Sequence, residues 1–187
     1  MGTTIQCFFM EPTDEAEGFL RRFVFSTVAK TCSRKFGYHN ASLSIGQMPW
    51  GGKDLLGYQV EDLPHDDPRW PTTCPCGYVF QEEDQWQFNI RRLHRRTDTG
   101  ELMTLGEAPP GAMWHADWYP TTVGPDGHNL VVKTPAGDWL IDAPSSSGGH
   151  WTRTGTPPLV TASPSIVIGD ANHGFHGWLR DGRLIEC

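Results

Sequence analysis

Cys74-Pro75-Cys76-Gly77-Tyr78 sets two thiols one residue apart, with a proline between them and a glycine after them. This is the pattern of half a zinc knuckle, in which two thiolates bind one metal and the glycine lets backbone N–H groups approach a sulfur. Zinc takes four ligands in a tetrahedron, and the chain holds no second closely spaced cysteine pair, so His or carboxylate must complete the set. His173-Gly174-Phe175-His176 offers two imidazoles three residues apart, and His150, before Trp151, competes for the fourth place. The bland alternative is a pair of ordinary buried thiols with surface histidines. A Cys-x-Cys turn holding Pro and Gly is more specific than a lone cysteine and less so than paired Cys-x-x-Cys knuckles.

Other chemistry is thinner. In Trp114-His115-Ala116-Asp117-Trp118 alternation puts His115 and Asp117 on one strand face, an acid–base pair in principle, although an aromatic core strand with polar residues outward explains it better. Ser145-Ser146-Ser147 precedes His150 without the strand–elbow–helix context that activates a serine. Phosphate loops, dinucleotide fingerprints and the His-Glu-x-x-His pattern do not occur.

The elements that must hold these residues read as short strands. The 187 residues fit one domain, 1–187. Apolar residues make up only 37 %, but eight Trp and nine Phe supply large buried area, while 21 Gly and 15 Pro are too many for long helices. Residues 4–10, a β-branched and aromatic run closed by Glu11-Pro12, read as an opening strand, and 41–45 alternate as another. Residues 15–30 fit helix and strand equally, because Phe19, Leu20, Phe23 and Val24 recur at helical spacing within a β-branched and aromatic run. Residues 46–73 read as a long irregular loop anchored by Trp50 and Trp70, and 145–149 as a flexible Ser/Gly loop.

Asp98-Thr99-Gly100 predicts a hairpin, and Gly124-Pro125-Asp126-Gly127, Pro135-Ala136-Gly137-Asp138 and Arg180-Asp181-Gly182 continue the rhythm of a meander. The expected fold is mainly β: a single irregular antiparallel domain, sandwich or barrel-like, with long loops and a zinc-stapled knuckle. A metal cross-link stabilises such a fold most where a long loop would otherwise be weakly held.

Charge and cysteine usage exclude some roles. A formal charge of −7 argues against nucleic acid as main partner, and the basic run 91–96 reads as a solvated strand edge. Five scattered cysteines suit a reducing compartment, with Cys7, Cys32 and Cys187 as free thiols. Neither a signal-type N-terminus nor a membrane-length apolar run is present, so no cleaved leader and no membrane partner are expected.

Cys74-Pro75-Cys76-Gly77, Pro164-Ser165-Ile166, and His176 before Gly177-Trp178-Leu179-Arg180-Asp181-Gly182 resemble DUF6527-type small proteins of bacterial and tailed-phage genomes. A set of tailed-phage proteins is similar over most of the chain. The likeness rests on residues 4–9, 37–41, Gly124-Pro125-Asp126-Gly127 and Trp139-Leu140-Ile141-Asp142. In that set a Cys often stands before the Trp found here at 151, which implies His150 in place of a thiolate ligand. The resemblance therefore favours Cys74, Cys76, His150 and His176 as zinc ligands, with His173 as the alternative fourth.

The resemblance also implies a virion or head-assembly protein whose partners are capsid or connector subunits, made in the host cytoplasm and carried in the virion. Two thiolates are commoner in closed sites, which favours a zinc-stabilised structural protein such as a capsid decoration, cement or connector-associated subunit. The alternative is a zinc hydrolase with an open metal position and a carboxylate base such as Asp142 or Asp170.

Overall fold

The computed structural model describes residues 2–24, 32, 38–51, 66–119, 124–145, 148–169 and 174–187. Twelve strands and no helix occur among them. They are β1 (Thr4–Gln6), β2 (Phe8–Phe23), β3 (Asn40–Pro49), β4 (Gln85–Arg96), β5 (Leu102–Thr104), β6 (Ala112–His115), β7 (Leu130–Thr134), β8 (Gly137–Leu140), β9 (Thr152–Thr156), β10 (Leu159–Ile168), β11 (Phe175–Arg180) and β12 (Arg183–Glu186). The fold is all-β, with mixed sheets that do not close into a barrel. Contacts divide the chain into two compact units, one of residues Met1–Glu11 with His94–Cys187 and one of Pro12–Leu93.

In the first unit an antiparallel sheet runs in the order β1-β12-β11-β10-β9. One of its two-residue hairpins joins β11 to β12 across Asp181 and Gly182, both at positive φ, between the closing pair Arg180 and Arg183. Two consecutive positive φ values define the turn whose twist matches paired strands, and Asp-Gly is among the pairs that tolerate them best. β10 carries Pro164 inside a strand paired on both sides, and the register shift between Ala162 and Ile166 accommodates it.

β6, β7 and β8 form a second antiparallel ladder, and the start of β2 joins β6 in parallel at Phe8 and Phe9. Alternation along these strands divides the core. Met113, Leu130 and Val132 pack with Trp139, Val160, Ile166, Phe175, Leu179 and Leu184. Ala112, Trp114 and Val131 pack on the other face with Phe8, Met10 and Ala108. The run Leu130-Val131-Val132 is therefore apolar throughout because both faces are covered.

Arg153 of β9 has a side chain that is 0 % exposed. Its Nε donates to both oxygens of Asp142 at 2.8 and 3.0 Å, and its two Nη atoms donate to Asp126 at 2.9 and 2.5 Å. The Arg153 hydrogen bonds hold the Asp126 carboxyl at about 2 against burial, which pushes it up. The folded value lies below the ordinary one of about 3.9, so this contribution to stability is complete above pH ~4 and lost as pH falls through about 2. Urea titrations of the protein and of Asp126→Asn are expected to differ at neutral pH and to converge between about pH 4 and pH 2.

In the second unit, β2 and β3 pair antiparallel from Glu15↔Pro49 to Phe23↔Asn40, with a bulge opposite Gly18 and Phe19. Gly46, at φ 102°, supplies the backbone conformation at that bulge. Of the stretch that fits helix and strand equally, residues 15–23 are strand, and 25–30 lie outside the described residues. The expected 46–73 loop begins later than predicted, since β3 continues to Pro49, and its residues 52–65 lie outside the described residues. So do Ser146 and Ser147 of the expected Ser/Gly loop.

Leu20, Trp70 and Phe88 form one core of this unit, and Cys32, Cys74 and Phe80 another. The basic run is not a strand edge: β4 lies between β5 and β2. Arg91 stacks over Phe19 at 4.7 Å, and Arg92 lies over Trp50 at 5.6 Å and donates to the Thr13 carbonyl. The cations cover aromatic rings, which a purely solvated edge would not need.

Candidate metal centre

Two local structures of the second unit converge on one point. The β2–β3 ladder is extended beyond its last pair by the Val24 N–H donating to the His39 carbonyl, which fixes the backbone of His39 and Asn40 at the strand entrance. Cys32 belongs to the same connection between β2 and β3. The knuckle is a miniature hairpin: Thr73 bridges Val79, Cys74 N–H donates to the Tyr78 carbonyl at 2.8 Å, and Gly77 N–H donates to the Cys74 carbonyl at 2.8 Å. Gly77 sits at φ 95° with open space where a Cβ would project, so backbone conformation rather than crowding selects glycine there.

The result is a cluster of Cys32, His39, Cys74 and Cys76 whose ligand atoms all lie within 4.8 Å of one another. Cys32, His39 and Cys74 are buried and Cys76 is half-buried. Cys32 Sγ and Cys74 Sγ are 4.0 Å apart, and His39 Nδ1 is 3.2 Å from Cys76 Sγ. A tetrahedral ion with metal–sulfur bonds of ~2.3 Å spaces its sulfurs ~3.8 Å apart, so the donors stand close to a coordination polyhedron. This cluster can hold a metal ion.

Neighbouring groups orient the donors. The His39 ring stacks on Tyr78 at 4.1 Å and 9°, Tyr78 meets Phe80 edge-on, and the Tyr78 hydroxyl donates to Asp84 at 3.2 Å. Asp84 also caps the Gln81 N–H at 2.7 Å, and Arg22, whose guanidinium lies 3.5 Å over the Trp86 ring, donates to the Gln81 carbonyl. Such outer partners fix ring orientation in metal sites.

Electrostatics favour a cation. Burial pushes the Cys74 thiol up, but backbone hydrogen bonds at Cys76 and Asn40 and those of the His39 and Cys76 side chains bring it down to about 6. Cys76 gains from a backbone hydrogen bond at Tyr78, yet burial and the adjoining Cys74 and Cys32 raise it. One thiolate forms readily and the next resists a second negative charge beside it, a conflict that a bound cation removes.

The structure brings together two of the residues expected from sequence, Cys74 and Cys76. His150 lies exposed before β9 and His176 exposed on β11, both in the other unit, and neither is in the cluster. His173 and Asp170 lie outside the described residues. Cys32, expected as a free thiol, faces the cluster, whereas Cys7 is a buried thiol pushed up to about 12 by its burial. His39 carried no metal expectation from sequence. The signal was the spacing Cys32-x6-His39, a cysteine and a histidine close enough in the chain to share an ion. Asp142 is occupied by Arg153 and by the Leu130 N–H, which leaves it no role as a base.

Comparison with protein-family models, with curated proteins and with solved structures finds no match to this chain.

Proposed function

We propose that this chain is a zinc-stabilised structural protein. One observation carries the reading: four protein donors, three sulfurs and one imidazole nitrogen, all lie within 4.8 Å of one another, the number and kind a closed zinc site takes. Thiolates with imidazole select zinc over magnesium or calcium, which take oxygen ligands. Four protein ligands leave no position for a reactive water, which favours a stabilising over a hydrolytic zinc. Cys32 and His39 would supply ligands from the β2–β3 connection, and Cys74 and Cys76 from the knuckle, so the ion would cross-link two segments of one unit.

The likeness of the sequence to tailed-phage proteins extends this proposal to a virion component seated on capsid or connector subunits, made in the host cytoplasm and carried in the particle. The purified protein is expected to contain about one zinc per chain, and a strong chelator at neutral pH is expected to lower its urea midpoint as it strips the ion. Quantitative mass spectrometry of purified particles tests the wider role: a copy number matching a capsid or connector symmetry supports it, and absence from particles sinks it.

A further inference from the structure

We infer that the chain carries a second metal site, formed by His115, Asp117 and His128 and open to solvent, for a borderline divalent cation such as Co²⁺, Ni²⁺ or Zn²⁺. The ligand atoms of these three residues lie within 4.8 Å of one another. They come together because β6 and β7 pair antiparallel, His115 opposite Leu130, so the end of one strand and the approach to the next share one rim. Asp117 occupies the turn after β6, and His128 lies two residues before β7.

The rim is held from both sides. The Ala116 N–H donates to the Asn129 carbonyl at 2.8 Å, and the Asn129 side chain donates to the Tyr119 carbonyl at 2.9 Å. Arg153 donates to the His128 carbonyl at 2.7 Å, while Asp126, gripped by Arg153, accepts from the His128 N–H at 3.2 Å. A fully buried guanidinium thus fixes the backbone of a ligand residue whose side chain is half-exposed.

The side chains lie close together as well. The two imidazoles stack at 4.2 Å and 4°, His115 is wedged against Phe9 at 4.9 Å, and His128 Nδ1 is 3.2 Å from Asp117 Oδ1. Bonds of ~2.1 Å to one ion place neighbouring donors ~3.0 to ~3.4 Å apart, and because two stacked parallel rings cannot both aim an in-plane lone pair at one ion, the exposed His128 ring turns out of the stack to bind, Asp117 moving with it. Two imidazoles and one carboxylate suit first-row divalent cations and leave coordination positions open. This site lacks thiolates and lies in the first unit, so it is independent of the cysteine cluster.

Tag-free protein dialysed to about one zinc per chain, then titrated with Co²⁺, is the test. The expected result is about one further Co²⁺ per chain, with weak d–d absorption and none of the strong sulfur-to-cobalt charge transfer that thiolate ligands produce. Asp117→Asn and His128→Ala, at side chains 74 % and 49 % exposed, are expected to weaken that uptake at least tenfold while leaving thermal stability and zinc content unchanged. Uptake confined to the thiolate cluster, or a second equivalent that survives both substitutions, overturns the inference.

Discussion

Cys32→Ser and His39→Ala are each expected to weaken zinc binding more than about 100-fold, whereas His150→Ala and His176→Ala keep about one zinc per chain. The contrast follows from geometry. Cys32 and His39 stand among the donors around the knuckle sulfurs, and His150 and His176 lie on the other unit outside that set. The stability effect is large because a structural zinc contributes on the order of 10 kcal/mol, comparable with the whole stability of a domain. Loss of Cys32 also leaves Cys74 and Cys76 to share charge in a buried place without a cation. Metal analysis after dialysis and urea unfolding of the four variants checks this. If His176→Ala loses zinc while Cys32→Ser keeps it, the ligand set is wrong.

The second large effect is expected far from the cysteines. Arg153→Met removes a buried cation from between Asp126 and Asp142, and leaves Asp142, whose side chain is 7 % exposed, without the guanidinium that pairs with it. Breaking one side of a buried ion pair costs about 3–5 kcal/mol, which corresponds to a fall in Tm of about 10 °C for a chain of this size. Arg153→Lys is expected to rescue little, since an ammonium cannot pair with two carboxylates in the planar fork that guanidinium presents. Arg153→Met with Asp142→Asn should recover part of the loss, because the orphaned charge is gone. Thermal unfolding of the three variants measures it. A loss below about 1 kcal/mol for Arg153→Met contradicts the arrangement.

Much of the strand pattern was legible because turn chemistry is local. Asp98-Thr99-Gly100 marks the β4–β5 hairpin and Asp181-Gly182 the β11–β12 hairpin, since positive φ at a turn restricts residue type wherever it occurs. β10 was harder to read, because Pro164 argues against a paired strand unless a bulge absorbs it, and bulges leave little trace in sequence.

The metal centre was half legible for a similar reason. The knuckle announces itself within four residues, but its partners come from across a ladder whose existence turned on 15–23 being strand. Helical and strand periodicities coincide over Phe19, Leu20, Phe23 and Val24, and the pairing of Phe23 with Asn40 that sets His39 in place is a long-range fact. The His115–Asp117 pair was visible, yet its strand ends at His115, and the turn beyond sets Asp117 beside His128. Register between β6 and β7, not alternation along one strand, assembles that trio.

Zinc-edge X-ray absorption of the purified protein tests the central claim most directly, because it counts ligand types around the ion. The account predicts three sulfurs at about 2.3 Å and one imidazole nitrogen at about 2.0–2.1 Å, from Cys32, Cys74, Cys76 and His39. A shell of two sulfurs and two imidazole nitrogens, the signature of Cys74 and Cys76 with two histidines, would contradict it.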